Sequence, residues 1–600
     1  MIHKHLLDAL ILAAAGLFLA ASADESRGRT ARIAICARDA HGIKQGVWSW
    51  LNLVGRMNTR LSAILLLALP LTVSAAHGQL PPGSVMTVGS AHSHSVSLPL
   101  NKMTLCPGAS LPAPSTVEAG VPPILLEFEG TGLADIIGGG CSLTDFASDD
   151  SAAVGPHRLV QVVNVALAVY DKAGTRLAGP VSTTTFWANQ PDCGGNQVWS
   201  DAVVIYDRQA DRWVISRPGG LPHGADLCLA VSQTSDPTGP YDQYAFAVNN
   251  TDNKLDGFFN DYAKISAWPG SYFATADPDK IFSGRGNTIS AFDRAAMLAG
   301  ESAPAYVTFF VPAPVPMTGV AHSHMLPAQL DGKKSPPDDA PGYIVQVQDA
   351  NWGFPAGRLQ VYEFQVDWTN PSSATLTPTT SLSPQSFDTN PCPWDNGNGQ
   401  SCIHQPVGPS LDSLAYGYMM FRLSYRNFGD HQVILLNHTV AADGNPNHDH
   451  AGIRWYELRR TKKAPWSIYQ QGTYVPDARD RWLGSIAMDR HGDIALGFDV
   501  SGAGAGQYAS IHYASRQPSD PLGQLPREVS IIEGHGAQLG DIFFGDYSQM
   551  TVDPKDDCTF WYTNTYYPQT TTSNSWHTRI AAFRFAACHR EDEDAHEHED

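Results

Sequence analysis

The sequence predicts an all-β chain built as a β-propeller of about seven blades, with six to eight allowed by the strand clusters. Three observations predict it. A segment recurs 285 positions apart: Asp261-Tyr262 opens DYAKISAWPGSYFAT and Asp546-Tyr547 opens DYSQMTVDPKDDCTFWYT, each with alternating apolar residues, a proline at one offset (Pro269, Pro554) and an aromatic strand. A turn recurs too, as Ser235-Asp236-Pro237-Thr238-Gly239 and Ser519-Asp520-Pro521-Leu522-Gly523. Beyond Gln79 no long segment has the helical period, while 53 Gly and 42 Pro punctuate short β-branched and aromatic runs. Recurrent strand–turn–strand units point to a ring of sheets whose central face binds ligands. An array of β-sandwiches is the alternative fold. Distant repeats with long irregular insertions favour the propeller, because insertions can decorate one face of a ring.

In chain order, residues 1–78 read as a leader. An apolar run spans Ala9 to Ala21, and a better signal peptide starts at Met57: MNTR is its basic region, LSAILLLALPL its apolar core, and Ala75 or Gly78 its cleavage point. That core is too short for a comfortable span. The expectation is translation from Met57, export, and a mature chain without a membrane span; a tandem leader or anchor is the other reading. Residues 79–156 read as an N-terminal arm that partly completes the propeller, 157–588 as the propeller, and 589–600 as an acidic, His-containing disordered tail.

The seven strand modules follow one another. The first holds LVQVVNVALAVYD and PVSTTTFWA, the second DAVVIYDRQADRWVIS and LCLAVSQ, and the third starts at Asp261. The fourth has YIVQVQ and LQVYEFQVDW, the fifth YMMFRLSYRNFGDHQVILLNHTV and AGIRWYELRR, the sixth starts near Trp482, and the seventh starts at Asp546. Their period-two alternation suits half-buried antiparallel strands.

Nine cysteines less Cys36 in the leader leave eight, an even number that suits disulfides in an exported chain. Sequence order suggests 106–141, 193–228, 392–402 and 558–588. After residue 78 the chain carries 31 basic against 55 acidic residues. With no basic patch, that balance argues against nucleic acid and anionic membranes as partners. Oligomeric state is not legible.

The runs DAVVIYDRQADRWVIS, SDPTGPYDQYAF, YRNFGDHQVILLNHTV, AGIRWYELR, WSIYQQGTY, RWLGSIAMD and GDYSQMTVDPKDDCTFWYT resemble a family of large exported bacterial β-propeller proteins to which no activity attaches. The resemblance covers most of residues 157–588 and implies fold and export. More remotely the pattern is similar to sialidase-like propellers. Those carry Ser-x-Asp-x-Gly-x-x-Trp turns, whereas the turns here are Ser-Asp-Pro-x-Gly without the Trp.

Several residues are candidates for chemistry. His92 and His94 in GSAHSH, and His322 and His324 in GVAHSH, would each offer two imidazoles from one strand face to a divalent metal such as Zn, Cu or Ca. Against this stand solvated histidines at two strand starts. His448-Asp449-His450 is a further candidate in a polar loop. Asp261 and Asp546, with Tyr262 and Tyr547, are placed to face the channel mouth as acid and base on a glycan, or as Ca²⁺ ligands. The bland reading is that each Asp caps a turn. Arg422 and Arg454 are candidates for clamping a sugar carboxylate, and Tyr418, Tyr425, His431 and His438 for a lyase's base and acid. The 14 Trp and 21 Tyr supply sugar platforms or blade core. No nucleophile elbow, P-loop, dinucleotide fingerprint or His-Glu-x-x-His occurs. The reading is a ligand-recognition module for glycan or protein at the cell surface or in the periplasm. The alternatives are a glycan-active hydrolase or lyase working at the channel mouth, and a metal-binding protein using the paired histidines. Whether the chain is an enzyme is left open at this level.

Overall fold

The computed structural model describes residues 79–106, 124–137, 147–194, 201–219, 226–248, 259–279, 286–313, 324–392, 401–415, 417–442, 450–572 and 574–588, and two short strands before them. The chain divides into two units, Met1–Ala76 and His77–Asp600. In the first, Leu19–Ala20 and Ala34–Ile35 form an antiparallel pair.

The second unit is a seven-bladed propeller. From the innermost strand outward, blade one is Ser151–Val154, Arg158–Val163, Ala166–Asp171 and Arg176–Ser182. Blade two is Val203–Asp207, Arg212–Pro218, Leu227–Ser232 and Tyr241–Phe246, with Ser93–Val96 added outside. Blade three is Phe259–Ala267, Ser271–Asp279, Gly286–Asp293 and Ala305–Pro312, with Val85–Ser90 outside. Blade four is Met325–Asp331, Gly342–Gln348, Arg358–Gln365 and Thr375–Leu382. Blade five is Leu423–Asn427, Gln432–Ala441, Ala451–Arg460 and Ser467–Tyr474. Blade six is Asp480–Met488, Ile494–Ser501, Ser510–Arg516 and Arg527–Ile532. Blade seven is Gln549–Val552, Phe560–Tyr566 and His577–Phe583, and its outer strand is Ile124–Glu129 from the N-terminal side. The innermost strands of successive blades touch around the whole ring, from one through seven and back to one. Those of blades four and five also pair in parallel, Ala328 opposite Leu423. Blade one begins at Ser151, inside the stretch assigned from sequence to the arm.

The alternation expected of half-buried strands holds only at the rim. Val85–Ser90 alternates half-buried and exposed, while strands such as Ala451–Arg460 are buried almost throughout. A blade packs on a neighbour at both faces, so its inner strands have no solvent side. This is also why much of the 10% aromatic content is accommodated inside: Trp187, Trp213, Trp455, Trp482 and Trp576 are fully buried, while Tyr469 and Phe543 are exposed.

Closure joins the two ends of the fold. Arg579 lies opposite Glu129 in the seventh sheet and forms ion pairs with Glu127 (2.9 Å) and Glu129 (2.8 Å). Phe128, on the same closing strand, packs on Tyr170 of blade one with 5.4 Å between ring centres. Closing the ring leaves neither a free sheet edge nor a bare blade face at the seam. Phe128→Ala should therefore cost about 3–5 kcal/mol, the usual range for a buried Phe. An unchanged urea midpoint in that variant would show that the seam does not hold the ring.

Three disulfides join described residues: Cys193–Cys228, Cys392–Cys402 and Cys558–Cys588. The fourth expected pair involves Cys141, which lies outside the described residues. Among the described residues no helix is long and apolar enough to cross a membrane.

Candidate functional site

Four adjacent blades, seven, one, two and three, carry an aspartate within three residues of the start of their innermost strand: Asp546, Asp149, Asp201 and Asp261. Equivalent positions of a ring lie at equal height around its axis, so these carboxylates meet at one mouth of the central channel. One oxygen each of Asp149, Asp201 and Asp546 lies within 4.8 Å of the others. Local backbone aims them. Asp149 (φ 41°) and Asp201 (φ 35°) are left-handed, a conformation Asp tolerates better than most residues; Tyr262 (φ 50°) is held there as well. The backbone N–H of Asp546 donates to Asp149 Oδ1 (2.8 Å), and Asn164 Nδ2 donates to Asp149 Oδ2. The Tyr262 N–H donates to Asp261 Oδ1 (2.9 Å) and to Asp201 Oδ2 (3.2 Å).

One buried cation answers this charge. Lys264, fully buried on the innermost strand of blade three, holds its Nζ 3.5 Å from the centre of the Tyr262 ring and 3.8 Å from that of Tyr547. It makes no hydrogen bond. Cation–π contact and the field of Asp201, Asp546, Asp149 and Asp261 keep the ammonium in place. Burial nonetheless draws its pKa down to about 8. The carboxylates move the other way. Burial, then Asp201, raises Asp149 to about 7; burial, then Asp149, puts Asp546 well above the usual range. Asp412, on the connection into blade five, rises to about 7 through burial. Like charges this close do not all ionise. At neutral pH the mouth therefore holds at least one carboxylic acid. Asp546 and Asp261 are the half-exposed members.

Aromatic side chains complete the wall. Tyr262 packs on Tyr418 (4.8 Å between ring centres), on His324 (4.6 Å) and edge-on to Tyr547 (5.8 Å). His324 in turn faces Tyr418 at 3.7 Å and pairs with Asp277 at 3.1 Å. The two tyrosines are anchored by hydroxyl donation, Tyr262 to Met419 O and Tyr547 to Ala202 O, both at 3.3 Å.

The structure thus brings together Asp261, Tyr262, Tyr418, Asp546, Tyr547 and His324 and places Arg422, Arg454, His92, His94 and His438 elsewhere. Arg422 sits at the opposite end of the channel, on a small cavity of about 30 Å³ that is partly open to solvent. Its guanidinium donates to both Asp331 oxygens (2.8 and 2.6 Å) and to Met550 O (2.8 Å). A fork so occupied is not available to a sugar carboxylate. Arg454 is buried in blade five and donates to Thr473, Gln471 and Gln385 O. His92 pairs with Asp192 and Asp226, and His94 with Asp242, at the outer edge of blade two. His322, like His448, lies outside the described residues. His438 is buried against Tyr456, and burial lowers its pKa to about 3, which leaves it neutral.

Sequence reasoning missed Asp149, Asp201 and Lys264. The signal for Lys264 was present: a lysine inside DYAKISAW, at a position where an inner strand is otherwise apolar. Asp149 and Asp201 lack the Tyr that flags the repeat, since Asp150 and Ala202 follow them.

No family model and no curated protein matches the chain. Solved structures similar to parts of it include an ulvan lyase, a polysaccharide lyase (11% identity, 72% of this chain and 94% of that one, TM-score 0.35). An endo-arabinase from Bacteroides thetaiotaomicron (11%, 54% and 95%, 0.26) and an α-L-arabinanase from Penicillium chrysogenum (10%, 62% and 94%, 0.29) are further examples. At these TM-scores the likeness carries nothing about function, and the blade count stands on the strand pairing itself.

Proposed function

We propose that this chain is a glycan-active enzyme, a hydrolase acting outside the cytoplasm, with its site at the aspartate-lined mouth. The observation that carries the reading is the triad Asp149–Asp201–Asp546, within 4.8 Å, with Asp546 half-exposed and held protonated by burial and its neighbours. A glycosidase needs a carboxylic acid to protonate the leaving oxygen beside an ionised carboxylate. Asp546 takes the first role and Asp261, the other half-buried aspartate of the mouth, takes the second. Lys264 and the Tyr262 and Tyr547 rings hold the field of the site and do not touch the glycan. Three disulfides support export.

A panel of neutral and acidic polysaccharides, read by new reducing ends and by the ultraviolet absorbance of unsaturated uronates, tests this. Turnover without that absorbance is expected, falling about 10²–10⁴-fold in Asp546→Asn, the usual contribution of a general acid. Activity should fall as rising pH removes the proton from Asp546. Unsaturated products would replace hydrolysis by elimination, with Tyr418 and His324 as the groups to test. Binding without turnover would return the chain to a ligand-recognition module.

A further inference from the structure

We propose that the far end of the channel binds one small monovalent anion, of the chloride class, on the guanidinium of Arg208. The proposal does not rest on the catalytic reading, which concerns the other mouth. The cavity on which Arg422 sits is also lined by Arg208 and Asp331. Arg208 directly follows Val203–Asp207, the innermost strand of blade two, and Asp331 ends Met325–Asp331, that of blade four. Arg422 precedes and Arg426 lies within Leu423–Asn427 of blade five. Asp557 comes from the turn between the first two strands of blade seven.

The charges of this cluster do not balance. Arg422 donates to both oxygens of Asp331, and Ser424 Oγ donates to the same carboxylate at 2.6 Å. Arg426 donates to both oxygens of Asp557, at 2.9 Å each, and the Lys333 backbone N–H donates to Oδ2 at 3.3 Å. Each carboxylate is therefore taken by an arginine other than Arg208. Among the described residues the one ion partner of Arg208 is Asp557 Oδ1, at 3.8 Å, which is beyond hydrogen-bond reach. Burial lowers the pKa of Arg208 against the pull of Asp557 and Asp331, but a guanidinium keeps its proton at any working pH. Three cations against two carboxylates thus leave one positive charge in a largely dehydrated place, and an anion beside it removes that cost.

Size and charge choose the ligand. The cavity holds about 30 Å³, room for roughly one halide ion or two water molecules, and far less than the usual cleft for an organic ligand. Thr551, on the innermost strand of blade seven, lines the same cavity, and its hydroxyl makes no hydrogen bond among the described residues. It supplies a neutral donor beside the charged one. Only one positive charge is uncompensated, and Asp331 and Asp557 stand near it, so a dianion is disfavoured. The side chain of Arg208 is 15% exposed, which gives the ion a way in from solvent.

The full chain, dialysed into sodium gluconate, is titrated with sodium chloride at constant ionic strength, so that screening stays fixed. Arg208→Gln and Thr551→Val are treated alike. The wild-type thermal midpoint should rise by about 2–4 °C and level off as the site fills, and the NMR line of chloride should broaden in proportion to bound ion. Arg208→Gln should lose both effects, and in gluconate it should be at least as stable as wild type, because the surplus charge is gone. Thr551→Val should weaken the chloride response several-fold. Should Arg208→Gln not fold, Thr551→Val and the wild-type comparison of the two salts still decide the matter. Equal midpoints in chloride and gluconate, or the same chloride response in wild type and Arg208→Gln, would overturn the site and leave Arg208 to water. Displacement of chloride by equimolar sulfate or acetate would overturn the ion class.

Discussion

Lys264→Met should lower the unfolding free energy by about 3–5 kcal/mol at pH 7.5, the range found when one partner of a buried charge cluster is removed. At pH 5 the loss should be much smaller. Met fills nearly the volume of Lys, so the effect isolates charge. Without the ammonium, the carboxylates of Asp149, Asp201 and Asp546 face one another across 4.8 Å or less with no buried cation. The proton on Asp149, whose pKa is already about 7, is then held more tightly still, and ionising the cluster opposes folding. Acid removes that opposition by neutralising the carboxylates. Urea unfolding of wild type and variant at the two pH values measures the difference. An equal loss at both would mean that Lys264 acts by packing on Tyr262 and Tyr547 and not by balancing charge. If the mouth is catalytic, the variant should also lose turnover at pH 7.5, because the division between acid and base depends on this field.

The wild-type thermal midpoint should peak between about pH 4.5 and 6 and then fall by at least about 5 °C toward pH 8. The sign follows from groups whose folded pKa is raised. Asp149, Asp150, Asp226 and Asp412 rise to about 7, Asp493 to about 6 and Asp489 to about 8, in each case mainly through burial. Such a group favours the folded state fully below its unfolded pKa, and that support is lost as the pH rises through the folded value. A shift from near 4 to about 7 is worth up to about 4 kcal/mol for one group. Acid has its own limit. Glu528 and Glu533 are lowered to about 2: Glu528 by hydrogen bonds to His512 and Tyr474 that overcome its burial, Glu533 chiefly by its hydrogen bond to His512. Their support exists above the unfolded value and is lost as the pH falls toward 2. Asp150→Asn provides the check. Asp150 accepts from Thr563 (2.6 Å) and Thr565 (3.3 Å), and an amide oxygen replaces one acceptor without charge. The variant should match wild type at pH 5 and exceed it at pH 8. A flat wild-type profile across this range would refute the buried-acid account.

Local chemistry made the architecture legible. Strand period, Gly and Pro punctuation and the repeated Asp-Tyr segment act over a few residues, and they led to seven blades in the right order. Three of the expected cysteine pairs are present because partners near in sequence also fall on neighbouring strands and loops. Burial was misjudged for the inner strands, since alternation within one strand does not report that the next blade covers its other face.

The site was legible only in part. Asp261 and Asp546 stood out because their repeat did, and repetition suggested turn caps. Closure of the ring gives repetition another consequence, because equivalent residues of neighbouring blades converge on one axis. Asp149 and Asp546, 397 positions apart, are joined by a 2.8 Å hydrogen bond for that reason. Arg422 looked like a clamp until its partner Asp331, 91 positions away, was seen to fill its fork. The His92–His94 pair was read by the rule that i and i+2 share a strand face, but His92 lies where the chain leaves one blade for another, so the rule does not apply there. By itself the sequence determined the all-β propeller, the order of its modules and its acidic balance, because these depend on short-range pattern and composition. Tertiary structure alone decided which carboxylates share a field, which arginines are already paired and which acids face His92. Those depend on distances between residues whose separation along the chain carries no information about them.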